Sequence, residues 1–189
     1  MEVFIYMCGI VGWANLDEDL SNQYNIINEM SKTLSKRGPD ESGTYFDLHV
    51  ALAHRRLTVV DPEGGMQPMR KKFNDVNYII VYNGELYNTD DIRKELIELG
   101  HTFKSHSDTE VLLTSFIEWG YECTNKLNGI FAFAIWNDKK NELFICRDRL
   151  GVKPLFYSLK NNSLIFASEI KALLKHPQVS PVLDKIRTL

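Results

Sequence analysis

The sequence has no surplus of charge of one sign: 22 Lys and Arg stand against 25 Asp and Glu, a net charge of −3. Without a basic field there is nothing to hold nucleic acid or an anionic membrane surface, so neither partner is expected. Cysteine is scarce too. Cys8, Cys123 and Cys146 are odd in number and widely spaced, and no Cys-x-x-Cys pair is present to grip zinc or to form a redox motif. A reducing compartment fits this usage. Long apolar runs are missing, since no stretch approaches the roughly 18 or more consecutive apolar residues of a membrane-spanning helix. The apolar start is no signal peptide by pattern, because Glu2 is its only early charge where a basic segment belongs, and Ile5-Tyr6-Met7 lacks the small residues of a lipoprotein cleavage site. A cytoplasmic location follows as the expectation. Also absent are a Walker A sequence, any other glycine-rich phosphate cradle, internal repeats and low-complexity segments.

What is present suits one domain. At 189 residues with 44% hydrophobic content the chain can bury a sizeable core. Residues 8–14 form an apolar run with β-branched and aromatic members and read as a buried strand. Ser21 is placed to cap a helix carrying Ile26, Ile27, Met30 and Leu34 at helical spacing, with Lys36 and Arg37 in its last turn and Gly38-Pro39 to stop it. Strand character returns from Gly43 to Arg55, with a further strand at Asn77–Tyr82 closed by the turn dipeptide Asn83-Gly84. Helices are expected at Asp90–Leu99 and Thr109–Trp119, the second introduced by Ser107 with Glu110 three residues on, a capping-box pattern. Strands follow at Ile130–Trp136, Leu143–Arg147 and Leu164–Ala167, and Ser168 is placed to cap a short helix through Leu174. Strands and helices come in blocks rather than in βαβ alternation, which favours sheets packed on each other or covered by helices.

A cysteine needs a base or a depressed pKa to be nucleophilic at neutral pH, and the usual partner is a histidine. None of the five histidines, His49, His54, His101, His106 and His176, sits in a catalytic signature. The alternative base is the chain's own α-amino group, with a pKa of about 7.7–8.0, which serves only if the cysteine is the first residue.

Met7-Cys8-Gly9-Ile10-Val11-Gly12 resembles the start of class II glutamine amidotransferases, whose initiator methionine is removed to expose a catalytic N-terminal cysteine. The segments Arg37–Gly43, Ala53–Asp61, Tyr82–Asn88, Ser107–Glu110 and Arg147–Tyr157 then occur in the order found in glutamine-dependent asparagine synthetases. The resemblance spans about residues 7 to 180. It implies the N-terminal-nucleophile hydrolase fold, an α+β four-layer αββα sandwich of two antiparallel sheets. It implies Cys8 as nucleophile and an oxyanion hole made by the Asn83 side-chain amide and the Gly84 N–H, although Asn83-Gly84 alone is an ordinary turn. It also puts the glutamine α-carboxylate on Arg56 and the α-ammonium on Asp108 and Glu85, with the backbone of Val59 and Val60 completing the pocket. For Asp108 the competing reading is a helix-cap residue. Cys123 and Cys146 keep a core reading, and the Arg147–Tyr157 motif reads as a structural loop between strands.

The relatives of this pattern continue into an ATP-pyrophosphatase domain with a Ser-Gly-Gly-x-Asp-Ser loop, which these residues lack. The expected division is a leader or mis-assigned start at 1–7, a glutaminase domain at 8–176 and a linker at 177–189 toward a synthetase domain. Either the chain is an excised domain or a free-standing ammonia donor, and the linker favours excision. L-Glutamine is the implied substrate and a C-terminal synthetase domain the implied partner; a homodimer is compatible with the resemblance. No metal or cofactor is expected in this domain, ATP and Mg belonging to the synthetase domain. Residues Met1 to Tyr6, followed by Met7, would lock the Cys8 nitrogen in an amide without useful basicity. A glutaminase is therefore set against a non-catalytic glutamine-binding or docking module, and against an N-terminal-nucleophile amidase with another substrate.

Overall fold

Alternation along the strands decides where each apolar side chain goes. The structure, a computed structural model, describes residues 7–58 and 64–182. Within them the order is β1 (Gly9–Asn15), α1 (Tyr24–Lys32), β2 (Glu41–Phe46), β3 (Val50–Arg56), β4 (Met69–Phe73), β5 (Val76–Leu86), α2 (Thr89–Glu98), α3 (Asp108–Trp119), a 3-10 turn (Gly120–Glu122), α4 (Cys123–Lys126), β6 (Gly129–Asn137), β7 (Glu142–Arg147), β8 (Phe156–Lys160), β9 (Ser163–Ala167) and α5 (Ile170–Leu173). One sheet runs β2-β3-β1-β9-β8 and the other β4-β5-β6-β7. Every pairing in them is antiparallel.

Successive residues of a strand point to opposite faces, so each central strand supplies two cores. Ile10, Leu52, Val81, Ala134, Trp136 and Phe166 pack between the sheets. Their neighbours Val11, Trp13, Ala53 and Ile165 face outward and meet Ile27 and Met30 of α1 and Leu173 of α5. On the far side Ile80, Tyr82, Phe133 and Ile135 meet Ile92 of α2 and Val111 and Leu112 of α3. The result is helix on sheet on sheet on helix, the αββα sandwich of the α+β class. Ile10 and Phe166 are fully buried, and burying each contributes about 1.5–3 kcal/mol to holding the sheets face to face.

Several boundaries differ from expectation for nameable reasons. β5 does not turn at Asn83-Gly84 but runs on to Leu86, with Asn83 opposite Ala132 and Gly84 opposite Phe131. The glycine answers to a close approach: a Cβ there would lie 2.5 Å from the Ile130 carbonyl oxygen. α1 starts at Tyr24 after Gln23, with no side-chain cap, and Ser21 instead takes part in a turn with Asp19. It ends at Lys32, and the residues to Arg37 continue as tight turns. Ser168 does not cap α5. Its hydroxyl accepts from the Ile10 N–H at 2.9 Å, extending the β1–β9 pairing. Ser107 does cap α3, accepting from the Glu110 N–H, while the Glu110 carboxylate accepts from the N–H groups of Lys104 and Ser105.

Two edge strands escape a sequence reading. β4 is rich in Lys and Arg, and most of β8 is exposed. A strand at a sheet edge needs no apolar alternation, and charge there is protective. Their two-residue turns, Asn74-Asp75 and Asn161-Asn162, all have positive φ, the conformation that suits tight hairpins. Among the described residues no helix is long and apolar enough to cross a membrane.

Candidate active site

Parity brings the site together. Cys8 lies one residue before β1 and shares its face with Ile10; Arg56 shares its face of β3 with Leu52, and Asn83 its face of β5 with Ile79 and Val81. All three therefore look into the space between the sheets, at one open end. They line a cavity of about 230 Å³, which Tyr82, Glu85 and Asp108 complete from β5 and α3. A larger hollow of about 490 Å³ opens beside Asn15, Trp136 and the Asn161-Asn162 turn. Among the described residues its wall holds no cysteine, histidine or carboxylate, whereas the smaller cavity holds the Cys8 thiol and two carboxylates.

Cys8 is held at both ends of its thiol. The Leu57 N–H donates to Sγ at 3.4 Å, and the Sγ–H faces the Leu57 carbonyl oxygen at 3.7 Å. Burial pushes the thiol above its ordinary pKa, while the Leu57 hydrogen bond and the cations Arg56, Lys153 and Arg37 pull it back. None of the five histidines lines this cavity. His54 is buried behind it with Nε2 3.1 Å from the Tyr82 carbonyl oxygen, and burial pushes its pKa down to about 3, leaving a neutral ring that is no base. His101 pairs with Glu118 and His176 packs edge-on against Trp13.

Two donors converge on the same space. The Asn83 side chain is 2% exposed, yet its Nδ2 has no hydrogen-bond partner among the described residues. A buried donor left unsatisfied is rare and costly, which makes it a marker for a ligand. The second donor follows from strand geometry, since the N–H groups of alternate residues point to one edge. The Tyr82 N–H meets Gln67 Oε1 at 2.6 Å and the Leu86 N–H meets Asp108 Oδ2 at 3.3 Å, both away from β6. The Gly84 N–H lies between them on that edge, and Gly84 lines the cavity.

Charges of both signs stand around the rim. Arg56 is buried, with one guanidinium nitrogen 2.9 Å from Glu41, and it presents a fork of the kind that takes a carboxylate in bidentate fashion. Across the cavity, Asp108 accepts from the Tyr82 hydroxyl at 2.7 Å. Burial raises its carboxyl above the usual range, with the Tyr82 hydroxyl and the Leu86 N–H opposing. It is the first residue of α3, the cap position being Ser107. Glu85, on the same face of β5 as Asn83, is exposed at the cavity mouth. Val59 and Val60 lie outside the described residues. Cys123 is buried in the core under α2 and α3, and Cys146 packs against the same cluster from β7.

Sequence reasoning missed Gln67, Tyr82 and Lys153, all in the cavity wall. Tyr82 and Lys153 stand inside motifs already singled out, Tyr82 beside Asn83 and Lys153 in the charged loop after β7. No local signal marks Gln67; its side chain matters because it bridges the Tyr82 N–H and the Thr109 hydroxyl.

A profile of the family described as glutamine amidotransferase domain matches residues 7–188. Asparagine synthetase (glutamine-hydrolyzing) 3 of Bacillus subtilis (strain 168) is 53% identical over 179 residues, a match covering 95% of this chain and 29% of that protein. Asparagine synthetase B (glutamine-hydrolyzing) of Escherichia coli (strain K12) is 36% identical over 169 residues, covering 89% of this chain and 30% of that one. The chain thus spans less than a third of these relatives' length. Among solved structures, the glutamine phosphoribosylpyrophosphate amidotransferase from B. subtilis, complexed with ADP and GMP, superposes with a TM-score of 0.70 at 20% identity over 88% of this chain and 43% of that one. A structure titled as the allosteric regulatory enzyme of purine biosynthesis gives 0.73 at 21% identity over 89% and 43%. At such identities the likeness speaks for the fold alone.

Proposed function

Because the chain belongs to the glutamine amidotransferase domain family, we propose that it hydrolyses the side-chain amide of L-glutamine to L-glutamate and ammonia, with Cys8 as nucleophile. The observation that carries the reading is the buried Asn83 Nδ2, which has no partner among the described residues and lines one cavity with the Cys8 thiol. In this reading Cys8 Sγ attacks the amide carbon, and negative charge forms on oxygen facing Asn83 Nδ2 and the Gly84 N–H. Preorganised donors of this kind are worth about 100- to 1000-fold each in rate. The Cys8 α-amino group, released from Met7, takes the thiol proton and passes it to the departing ammonia. Water then hydrolyses the thioester by the same route in reverse. Arg56 holds the α-carboxylate and Asp108 with Glu85 the α-ammonium, a clamp that selects a free amino acid, and the backbone of Val59 and Val60 completes the pocket. No metal or cofactor has a step in this sequence.

The ammonia is proposed to serve the ATP-dependent conversion of aspartate to asparagine in a C-terminal synthetase domain, with ATP and Mg acting there. Support comes from the longer relatives being asparagine synthetases and from the share of their length that this chain leaves uncovered. Residues 177–189 would link the two domains in the cytoplasm. A second reading is a non-catalytic glutamine-binding module, favoured by Met7, which lines the cavity and donates its N–H to the Arg37 carbonyl oxygen at 3.2 Å. One comparison decides between them. A chain beginning at Cys8 should release glutamate from glutamine without ATP, its Cys8→Ala variant should not, and a chain whose mass retains Met1 to Met7 should be inert. Full turnover by the chain with its leader intact would sink the amine-base mechanism, and undiminished turnover by Cys8→Ala would place the nucleophile elsewhere.

A further inference from the structure

The charged loop after β7 is built to unusual completeness. The Asp148 carboxylate accepts from the backbone N–H groups of Leu150 at 3.2 Å, Val152 at 2.9 Å and Lys153 at 2.9 Å, and from Phe131 on β6 at 3.3 Å. Arg147 closes the other side, with Nε donating to the Lys153 carbonyl oxygen at 2.8 Å and a terminal nitrogen to that of Gly151. Gly151 itself has φ +64°, a conformation in which a side chain is strained and here would also press on Arg147. Such a loop has little freedom left. Within it, Lys153 stands in the wall of the Cys8 cavity.

Three cations act on the Cys8 thiol, and two of them are already balanced by carboxylates. Arg37 is 3.2 Å from Glu169 and Arg56 is 2.9 Å from Glu41. Lys153 forms no ion pair with a carboxylate among the described residues. Its Nζ lies 3.0 Å from the Met7 Sδ, a thioether that cannot balance an ammonium. Glu85 and Asp148 act on it only at longer range, and burial and then Arg37 weaken its hold on its proton. Among the described residues that line the cavity the remaining ionisable groups are Tyr82 and Asp108, which are hydrogen-bonded to each other, and His54 behind it is held neutral by burial. Burial alone would keep Cys8 protonated. An ammonium without a carboxylate partner, fixed by a rigid loop against the same cavity, is placed to oppose it.

We propose that Lys153 is a positioning residue for the nucleophile, its ammonium favouring the Cys8 thiolate as the thiol proton leaves. The inference rests on the reading of Cys8 as nucleophile, and its test needs no turnover. The rate of Cys8 alkylation by iodoacetamide is followed against pH in the full chain without glutamine, with peptide mass spectrometry separating Cys8 from Cys123 and Cys146. A nearby opposite charge shifts a pKa by about 1–3 units, and Lys153 is only half-buried, so solvent screening puts its effect at the low end. Lys153→Met should therefore move the Cys8 midpoint up by about one unit and slow alkylation at pH 7 by about tenfold. Lys153→Arg, which keeps the charge, should stay within about twofold of the parent, an expectation set by the same electrostatic argument. An unchanged midpoint in Lys153→Met overturns the proposal, as does an equal shift in Lys153→Arg, which would reduce the residue to loop packing. Should Lys153→Met fail to fold, Lys153→Gln carries the same expectation. A lysine-dependent midpoint in a chain beginning at Cys8 that never turns over glutamine would leave this inference standing and sink the amidase reading. Turnover with a lysine-independent midpoint would do the reverse.

Discussion

Replacing Asn83 with Leu should make the protein more stable and nearly inactive in one step. The residue is 2% exposed and its Nδ2 has no partner among the described residues. Burying a donor without a partner costs about 1–3 kcal/mol, and an apolar side chain of similar volume removes that cost. A domain of this size gains roughly 2–4 °C per kcal/mol, so the melting temperature should rise by several degrees. The same substitution removes a donor proposed to meet the oxyanion, for which the expected loss in kcat is about 100- to 1000-fold. KM should move little, because the charged ends of glutamine rest on Arg56, Glu85 and Asp108 in the proposed pose. The assay pairs glutamate release by a chain beginning at Cys8 with thermal unfolding of the same preparation. A lower melting temperature with kcat within about threefold of the parent would rule out the oxyanion role, since the amide would then be holding the strand and not the transition state.

Asp108→Asn should raise KM by roughly ten- to hundredfold through loss of a charge-assisted hydrogen bond worth about 1.5–3 kcal/mol, with the melting temperature at neutral pH equal to the parent's or higher, because Asn still accepts from the Tyr82 hydroxyl and carries no buried charge. A normal KM with a lower melting temperature would return Asp108 to a structural role. The pH profile gives a second check. Burial raises the Asp108 pKa, so the parent should lose affinity as pH falls through that raised value, and the Asn variant should not. The stability sign runs oppositely: the native state holds this proton more tightly than the unfolded chain, so ionised Asp108 costs stability above its unfolded pKa, and that cost is relieved as pH falls. Gly84→Ala should lower both stability and turnover, because the new Cβ would lie 2.5 Å from the Ile130 carbonyl oxygen and force β5 from β6. Overpacking of this kind costs about 1–3 kcal/mol, and a melting temperature equal to the parent's would show that the strand gives way without strain.

Order and spacing of short motifs were enough to identify the family and to single out Cys8, Arg56, Asn83, Gly84, Glu85 and Asp108, all of which line one cavity. The central strands were legible because burial on both faces demands continuous apolar residues, and α3 because Ser107 and Glu110 carry its cap. β4 and β8 were not, since an edge strand owes its place to a neighbour's backbone and little to its own side chains. Asn83-Gly84 misled for a related reason. Locally the pair favours a turn, but the glycine is required by the approach of β6, more than forty residues further along the chain. Gln67 was out of reach, and Lys153, though inside a motif the sequence showed, read there only as part of a loop: one meets the Tyr82 N–H and the other lines the Cys8 cavity, and nothing within a few residues of either registers that proximity. Local sequence encodes which face of a strand or helix a residue takes, because that depends on parity and on near neighbours. Which faces meet depends on pairing between segments far apart in the chain, and only the folded sandwich brings the thiol, the donor amide and the charged rim to the same open end.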